Sequence, residues 1–491
     1  MASDWRDERI AELEGQVVAR DGRIAWLERE LAARDARITE LEAKVAALTK
    51  QVAELLEKVG RNSGNSHLPP STDPPGSRTG KGKPSGRKRG GQPGHGGAHR
   101  MLLPPEQVDE VINLYPRECE NCWAELPQVP DSQATRYQQT ELPPVKPHTK
   151  EWRCNEVSCP KCGHLTRAGY DEQQIPCSPF GPRLMAVMAL LTGIYHLSRR
   201  KAVSLLVELV GVRVSLGALS TVEARVSEAI VPAVNEAWQR VGEAKVKHTD
   251  GTSWRQAGQG VALWTIATKT ATVFKIVADH TKKTLEPLFG ALTGILVSDR
   301  AKELTFWAIE WRQICWAHLL RKFVSFSERD ELGGAIGKEL LELTGLLFDY
   351  WHDYKAGKLG RETFVAWMAP LQQQVQAALE RAVAADIAGV SGSCADILEH
   401  RAALWTFVHH EGVEPTNNHA EGEIRAFVLW RKRSYGTQSD RGNLFAERVM
   451  TIAHTARKLK LNVFEFLTAC CRAWADGKRA PLLFGANALP P

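Results

Sequence analysis

A heptad repeat of apolar residues is the feature that most restricts how this chain can fold, and it runs from Ile10 to about Val59. One seam position is mostly β-branched: Ile10, Val17, Ile24, Leu31, Ile38, Val45, Val52 and Val59. The other is leucine: Leu13, Leu27, Leu41, Leu48 and Leu55, with Arg20 and Arg34 as interruptions. This pattern predicts a parallel two-stranded coiled coil. A single amphipathic helix folded back on its own domain is the alternative.

The next segment, residues 61–103, is rich in Gly, Pro, Ser and basic residues and cannot bury a core. The net charge of the whole chain is only +6, but positive charge is concentrated in this segment, which contains several basic residues and a single acid, Asp73. The cations expected to contact a phosphate backbone are Lys81, Lys83, Arg87, Lys88 and Arg89. The segment is therefore predicted to be a flexible DNA-binding arm. The alternative is a solvated linker whose charge only aids solubility.

Two Cys-x2-Cys pairs follow the basic segment. Each pair places two thiolates on one tight turn, and two such turns supply the four tetrahedral ligands of a structural zinc site. The expected ligands are Cys119, Cys122, Cys159 and Cys162. Cys154 and His164 lie near enough in sequence to replace one of them. Independent reduced thiols are the alternative, since ten cysteines in a long chain do not indicate a disulfide framework.

Residues 179–243 have the periodicity of helices. Two amphipathic helices, at 197–211 and 215–230, are separated by a short turn at 212–214. This arrangement is typical of a helix-turn-helix domain that binds DNA. Any small helical domain can produce the same pattern, so both interpretations stay open.

After residue 244 the pattern changes to short β-rich runs at 245–255, 261–270 and 271–280. A helix near 284–289 and a fourth strand at 294–300 follow. A three-stranded meander, a crossover helix and a buried strand predict the opening of a ribonuclease-H-like α/β fold. The pattern places Asp250 at the end of the first strand and Asp299 at the end of the fourth.

The first and fourth strands are neighbours in that fold, so Asp250 and Asp299 are expected to face each other. Two buried like charges are costly unless a cation neutralises them. Carboxylate oxygens suit Mg²⁺ or Mn²⁺, and two metals can activate water or a DNA 3′-hydroxyl. Glu421 is the candidate third acid, on a helix that Asn417 is expected to cap. Glu423 points about 200° away, so Glu423→Gln is expected to retain most activity.

In this order, the motifs resemble the insertion-sequence-sixty-six family of DDE transposases, TnpC type, over nearly the whole chain. Besides the coiled coil and the cysteine pairs, the motifs are Asn62-Ser63-Gly64-Asn65-Ser66, Gly90-Gly91-Gln92-Pro93-Gly94-His95, His248-Thr249-Asp250, Val297-Ser298-Asp299-Arg300, Cys315-Trp316-Ala317-His318 and the block from Asn417 to Gly442. Each motif alone is a weak signal. Their order along one chain is specific.

The resemblance implies an enzyme that binds the ends of an insertion sequence and catalyses metal-dependent DNA cleavage and strand transfer. It implies Asp250, Asp299 and Glu421 as the catalytic and metal-binding acids. It also implies an auxiliary role for Cys315 and His318, for which ordinary packing after a fifth strand is the alternative. In the family pattern an arginine directly follows the third acid, whereas this chain has a glycine at position 422.

Basic residues after the third acid are further candidates for DNA contacts. They are Arg425, Arg431 and Lys432. Trp430, within the same run, is either a base-stacking residue or, as is more usual for tryptophan in a helix, part of the core.

These observations predict a multidomain α+β protein with a ribonuclease-H-like catalytic core and an α-helical insertion. The expected domains are a coiled coil (1–60), a basic linker (61–103), a zinc-binding domain (104–178), a helical or helix-turn-helix domain (179–243), the first part of the core (244–318), the helical insertion (319–412) and the last part of the core with C-terminal helices (413–491).

No apolar run reaches about 18 residues, and the N-terminus is charged, so a cytoplasmic protein without membrane contact is expected. Its expected partners are DNA and further copies of the chain through the coiled coil. The resemblance further implies a bacterial protein that associates with the nucleoid and with accessory proteins of the same element. A catalytically inactive protein that recognises element ends is the alternative function. A ribonuclease-H-like resolvase shares the metal chemistry but does not explain the arm, the cysteine pairs and the coiled coil together.

Overall fold

The computed structural model describes residues 4–65, 100–169, 175–329 and 331–484. The chain divides into two compact units. The first comprises residues 1–80, 318–353 and 373–394, and the second comprises residues 81–317, 354–372 and 395–491. Among the described residues, no helix combines the length and the apolar character needed to cross a membrane.

The chain is mixed α+β. The helices are α1 (Asp4–Gly60), α2 (Pro182–Ala189), α3 (Arg199–Val210), α4 (Leu216–Ala229), α5 (Val231–Glu243), α6 (Lys282–Phe289), α7 (Trp316–Ser327), α8 (Glu331–Lys355), α9 (Arg361–Ala384), α10 (Ser391–Glu399), α11 (Thr406–His409), α12 (Asn418–Ser434), α13 (Asp440–Lys458) and α14 (Val463–Ala475). The strands are β1 (Glu156–Ser158), β2 (Leu165–Arg167), β3 (Val246–Gln256), β4 (Gln259–Ala267), β5 (Thr272–Val277), β6 (Ile295–Ser298) and β7 (Arg312–Ile314).

The first unit contains α1, a single helix of 57 residues whose apolar seam is exposed in the single chain. The turn after α1 is closed by side chains of the Asn62–Asn65 motif. The Asn62 N–H donates to Asn65 Oδ1 at 2.8 Å, and the Gly64 N–H donates to Asn62 Oδ1 at 2.8 Å. Asn65 is buried and donates from Nδ2 to the Glu328 carboxylate at 2.8 Å. This motif therefore connects the end of α1 to the residue that follows α7.

The second unit is built on a five-stranded sheet with the order β5-β4-β3-β6-β7. β3, β4 and β5 form an antiparallel meander, and β6 and β7 run parallel to β3. Helix α6 lies between β5 and β6 in the chain. The predicted meander, the crossover helix and the pairing of the first strand with the fourth are confirmed.

The predicted position of Asp250 at the end of its strand is wrong. Asp250 is the fifth residue of β3, which continues to Gln256. The cause is that β3 has two different neighbours. It pairs with β4 from His248 to Gln256, but it pairs with β6 only from Val246 to His248. Asp250 therefore lies just beyond the parallel pairing, where one side of β3 is no longer covered by a strand.

Helices α12 and α13 pack on the sheet, and α13 also packs on α4 and α5. Aromatic side chains fill the space between α12 and the sheet: the Trp254 ring lies 5.3 Å from Phe427, and Phe274 lies 4.9 Å from Phe427. The two predicted amphipathic helices are present as α3 and α4, and Gly211 ends α3 in the left-handed conformation that a glycine adopts easily. Their role in reading DNA stays a prediction.

Candidate functional site

The two aspartates come from neighbouring parallel strands. The register pairs Val246 with Ile295 and His248 with Val297. Continuing it by two residues places Asp250 beside Asp299, which directly follows β6. Side chains two residues apart on a strand point to the same face, so this geometry follows from the alternation of a β-strand.

Helix α12 brings the third acid to the two aspartates. It begins at Asn418 and packs on β3, and Glu421 lies in its first turn. Asn417 occupies the N-cap position, as predicted, but its side chain does not cap the helix. Instead, Asn417 Nδ2 donates to the carbonyl oxygen of Thr249 at 2.8 Å, so the side chain connects α12 to the residue before Asp250.

The three acids interact electrostatically. Burial, followed by the negative charges of Asp299 and Glu421, raises the pKa of Asp250 to about 7, although the Gly251 N–H opposes this by donating to Asp250 Oδ1 at 2.9 Å. Like charges near a half-buried carboxyl disfavour its ionised form. The structure therefore brings together the three acids singled out in the sequence, in an arrangement that a cation would stabilise.

Comparison with models of known protein families gives a match to the transposase IS66 family over residues 178–444, which is more than half of the chain and includes all three acids. The chain belongs to the IS66 transposase family. Residues 20–101 match a second model, a family of unknown function (DUF6444). A search of curated proteins found no match. The resemblance inferred from the motifs is thus confirmed, and a transposase is a DNA-processing enzyme.

In this IS66-family transposase, a buried arginine lies behind Asp299. Arg312, on β7, donates from Nη2 to Ser298 Oγ and to the Asp299 carbonyl oxygen, both at 3.2 Å. Ser298 Oγ also donates to the Asp299 carbonyl oxygen at 2.8 Å. Burial lowers the pKa of Arg312, and the charge of Asp299 opposes that shift. Sequence reasoning missed this residue because nothing in its strand distinguishes it from a surface arginine.

Glu423 faces α13 rather than the aspartates. One carboxylate oxygen of Glu423 lies 2.9 Å from Lys458 Nζ, and the other contacts His454 Nδ1. Burial raises the pKa of Glu423, but the hydrogen bond with His454 and the charge of Lys458 outweigh it and lower the pKa to about 2. Lys458 Nζ also lies 2.9 Å from His419 Nε2. Glu423 therefore belongs to a half-buried polar network between α12 and α13.

The predicted auxiliary residues follow the fifth strand of the sheet. Cys315 comes directly after β7 and is buried. Its sulfur accepts a hydrogen bond from the Asn417 N–H at 3.1 Å and lies within 4.8 Å of a carboxylate oxygen of Glu421. His318 lies on α7 and is half-buried. Cys315 is thus beside Glu421.

Each cysteine pair forms a tight turn. The Cys119 N–H donates to the Ala124 carbonyl oxygen at 2.9 Å, and the Cys159 N–H donates to the His164 carbonyl oxygen at 2.8 Å. N–H groups of Asn121 and Cys122 lower the pKa of the Cys119 thiol, and those of Lys161 and Cys162 act in the same way on Cys159. Each turn thus favours a thiolate. Within residues 100–169, however, the four sulfur atoms do not form one group within 4.8 Å of one another, so the four-cysteine zinc site stays a prediction.

The predicted DNA-binding residues occupy different positions. Arg425 and Lys432 are exposed on α12, whereas Arg431 donates from Nη1 to Ser253 Oγ at 2.6 Å. Trp430 is buried and stacks on His196 with ring centroids 4.8 Å apart, so it is a core residue. The cations predicted for the basic arm lie outside the described residues: Lys81, Lys83, Arg87, Lys88 and Arg89.

Proposed function

We propose that this IS66-family transposase uses DDE chemistry: it binds the ends of an insertion sequence and catalyses divalent-metal-dependent cleavage and transfer of DNA strands. Asp250, Asp299 and Glu421 are the proposed metal-binding acids. The observation that carries the proposal is the convergence of these three acids: burial, and then the charges of Asp299 and Glu421, raise the pKa of Asp250 to about 7.

The donor set fits a hard divalent cation. The three carboxylates offer oxygen ligands, which Mg²⁺ and Mn²⁺ prefer. Asn417, the residue that connects α12 to β3, has a buried side-chain oxygen that interacts with the side chain of His248. The bound metals would supply charge for activating water or a DNA 3′-hydroxyl and for stabilising the leaving oxygen. The role of Arg312 in this scheme is to hold the Asp299 backbone in place.

The remaining parts of the chain are proposed to bind DNA and to assemble the protein. The sheet order and the connections from β3 to β7 support a ribonuclease-H-like core, interrupted by the helical insertion at residues 319–412. The basic arm would contact phosphates without reading sequence, and α3 and α4 would contribute at the element ends. The exposed seam of α1 would pair copies of the chain, and the cysteine pairs would bind a structural zinc.

The decisive experiment changes each acid to its amide. Asp250→Asn, Asp299→Asn and Glu421→Gln are each expected to reduce Mg²⁺-dependent cleavage and joining of DNA by at least about a thousandfold, because the amide keeps the shape but loses the charge that binds metal. DNA binding without metal should stay within about twofold of the wild type. Glu286→Gln, which changes an exposed acid on α6, is the matched control and should cut normally.

The outcomes separate the proposed enzyme from its alternative. Normal cutting by all three amide variants would contradict the assignment of the acids. A wild-type protein that binds element ends but never cuts them with Mg²⁺ or Mn²⁺ would instead be a DNA-binding protein that lacks strand-transfer activity.

A further inference from the structure

The loop between α12 and α13 is joined to the tip of the β3–β4 hairpin. The Ala257 N–H donates to the Thr437 carbonyl oxygen at 2.8 Å, and the Thr437 N–H donates to the Arg255 carbonyl oxygen at 2.9 Å. Gln256 Nε2 also donates to Asp440 Oδ1 at 2.8 Å. These bonds connect two segments that are distant in sequence, so the loop and the hairpin tip form one fixed surface.

Tyr435 is held on this surface in an unfavourable backbone conformation. Its φ is 59°, in the left-handed region, and its side chain is 77% exposed. Glycine, which has no Cβ, is the usual residue at such a helix end, and asparagine is tolerated because its short polar side chain can form local hydrogen bonds. The neighbouring Gly436 approaches the hairpin so closely that a Cβ on it would lie 2.0 Å from the Arg255 carbonyl oxygen. An exposed aromatic ring on a strained residue adds little to stability, which suggests a binding role.

Basic residues lie on the two segments that adjoin this tyrosine. Arg431 Nη1 donates to Ser253 Oγ at 2.6 Å, and Arg255, two residues further along β3, is exposed on the same face. Burial and then the charge of Arg255 lower the pKa of Arg431. Lys432 and Arg433 are exposed at the same end of α12. Cations placed together in this way favour an anionic ligand.

We propose that the Tyr435 surface, formed by Arg255, Arg431 and Tyr435, binds DNA that contains unpaired bases. The two guanidinium groups contact phosphates, and the Tyr435 ring stacks on a base. In an intact duplex both faces of each base are already stacked, so the ring requires an unpaired or displaced base. This inference rests on the proposed function, but it concerns binding and not cutting. Tyr435 lies fourteen residues beyond Glu421, or about 21 Å along α12, so the stacked base lies several base pairs from the bond that is cut.

The test measures the metal-free affinity of the full-length protein for two DNA probes. One probe is a duplex of about 30 base pairs, and the other has the same sequence with about three central mismatches. Tyr435→Asn should weaken binding of the mismatched probe about tenfold, because the stacking on one base is removed, and should leave binding of the paired probe within about twofold. Tyr435→Phe keeps the ring and should bind both probes like the wild type.

A matched control separates the effect of losing the aromatic ring from the effect of relieving the backbone strain. Lys460 has the same φ of 59° and is exposed after α13. Tyr435→Asn and Lys460→Asn should both keep or raise the melting temperature, because asparagine tolerates this conformation. Only Tyr435→Asn should weaken binding of the mismatched probe relative to the paired probe.

Equal affinity of Tyr435→Asn and wild type for the mismatched probe would overturn the proposal. The Tyr435 surface would then be expected to contact a protein rather than a DNA base. A lower melting temperature of Tyr435→Asn would also contradict it, because the ring would then stabilise the fold. The acid variants lose cutting but keep binding in this metal-free assay, so the two proposals fail independently.

Discussion

Glu421 and Glu423 lie on the same turn of α12 but face different surroundings. Glu421 is close enough to Asp250 to raise the pKa of that aspartate, whereas Glu423 contacts Lys458 and His454 on α13. The helical spacing alone predicted that the two carboxylates point in different directions. It did not predict that Glu423 has a half-buried ion pair, because both partners lie about thirty residues further along the chain.

Glu423→Gln is still expected to retain most activity, but the structure adds an expected loss of stability. Removing the charge leaves Lys458 half-buried without its carboxylate, so the variant should lose about 3 kcal/mol of unfolding free energy. Chemical denaturation of the full-length protein measures this loss. The fraction of the variant that remains folded should still cut DNA with Mg²⁺, since Glu423 does not face the aspartates.

Glu465→Gln is the control for that experiment. Glu465 pairs with Arg183 at 2.9 Å, but both side chains are largely exposed, so its replacement should cost less than about 1 kcal/mol. Equal stability changes for the two variants would contradict the prediction that the Glu423 network contributes more to the free energy of unfolding than an exposed ion pair does.

At the scale of elements, α1 shows that the sequence predicts a helix more directly than it predicts what covers the helix's apolar seam. The heptad predicted one long helix, and the helix spans Asp4–Gly60. Its seam residues, such as Leu27 and Leu41, are exposed in the single chain. An exposed stripe of this length is unfavourable in water, so a second helix is expected to cover it.

A peptide of residues 4–59 should therefore form a parallel dimer. Burial of the seam stabilises the dimer, and Leu27→Glu together with Leu41→Glu should abolish it by placing charge in the seam. Analytical ultracentrifugation at micromolar concentration measures the association state. Glu28→Gln and Glu42→Gln, which change neighbouring residues outside the seam, form the control pair. A monomeric wild-type peptide would contradict the coiled-coil interpretation.

At the scale of the whole molecule, the distribution of charge matters more than its sum. The net charge is +6, but the segment 61–103 contains a single acid. Phosphate contacts made by such an arm release counterions and carry no base information. The arm is therefore expected to set the affinity for DNA of any sequence, while other surfaces distinguish element ends from random DNA.

Replacing Lys81, Lys83, Arg87, Lys88 and Arg89 by alanine should weaken binding to element ends and to random DNA by similar factors. The slope of log affinity against log salt concentration should become shallower by about 0.9 for each phosphate that the arm no longer neutralises. Affinities measured from about 50 to 200 mM salt provide the slope. An unchanged slope would identify the segment as a linker.

The sequence by itself determined the features that arise from local repetition or fixed spacing. The period of seven predicted α1, the alternating strands predicted the meander, and the spacing of Cys119 and Cys122 predicted a tight turn. Each of these patterns acts over a few residues, so it leaves a signal that can be read along the chain. The three acids are far apart in sequence: Asp250 and Asp299 could be paired from the predicted strand order, but the resemblance to the family was needed to complete the set with Glu421.

Only the tertiary structure decided which distant groups meet. β3 extends past Asp250 because β4 supports it after β6 has ended. Arg312 contacts the Asp299 carbonyl oxygen, and Gly436 lies against Arg255. Such contacts join residues far apart in sequence, and they depend on the register of the sheet and the packing of α12 on it. Because they have no period and no fixed spacing, a single sequence carries no local signal for them.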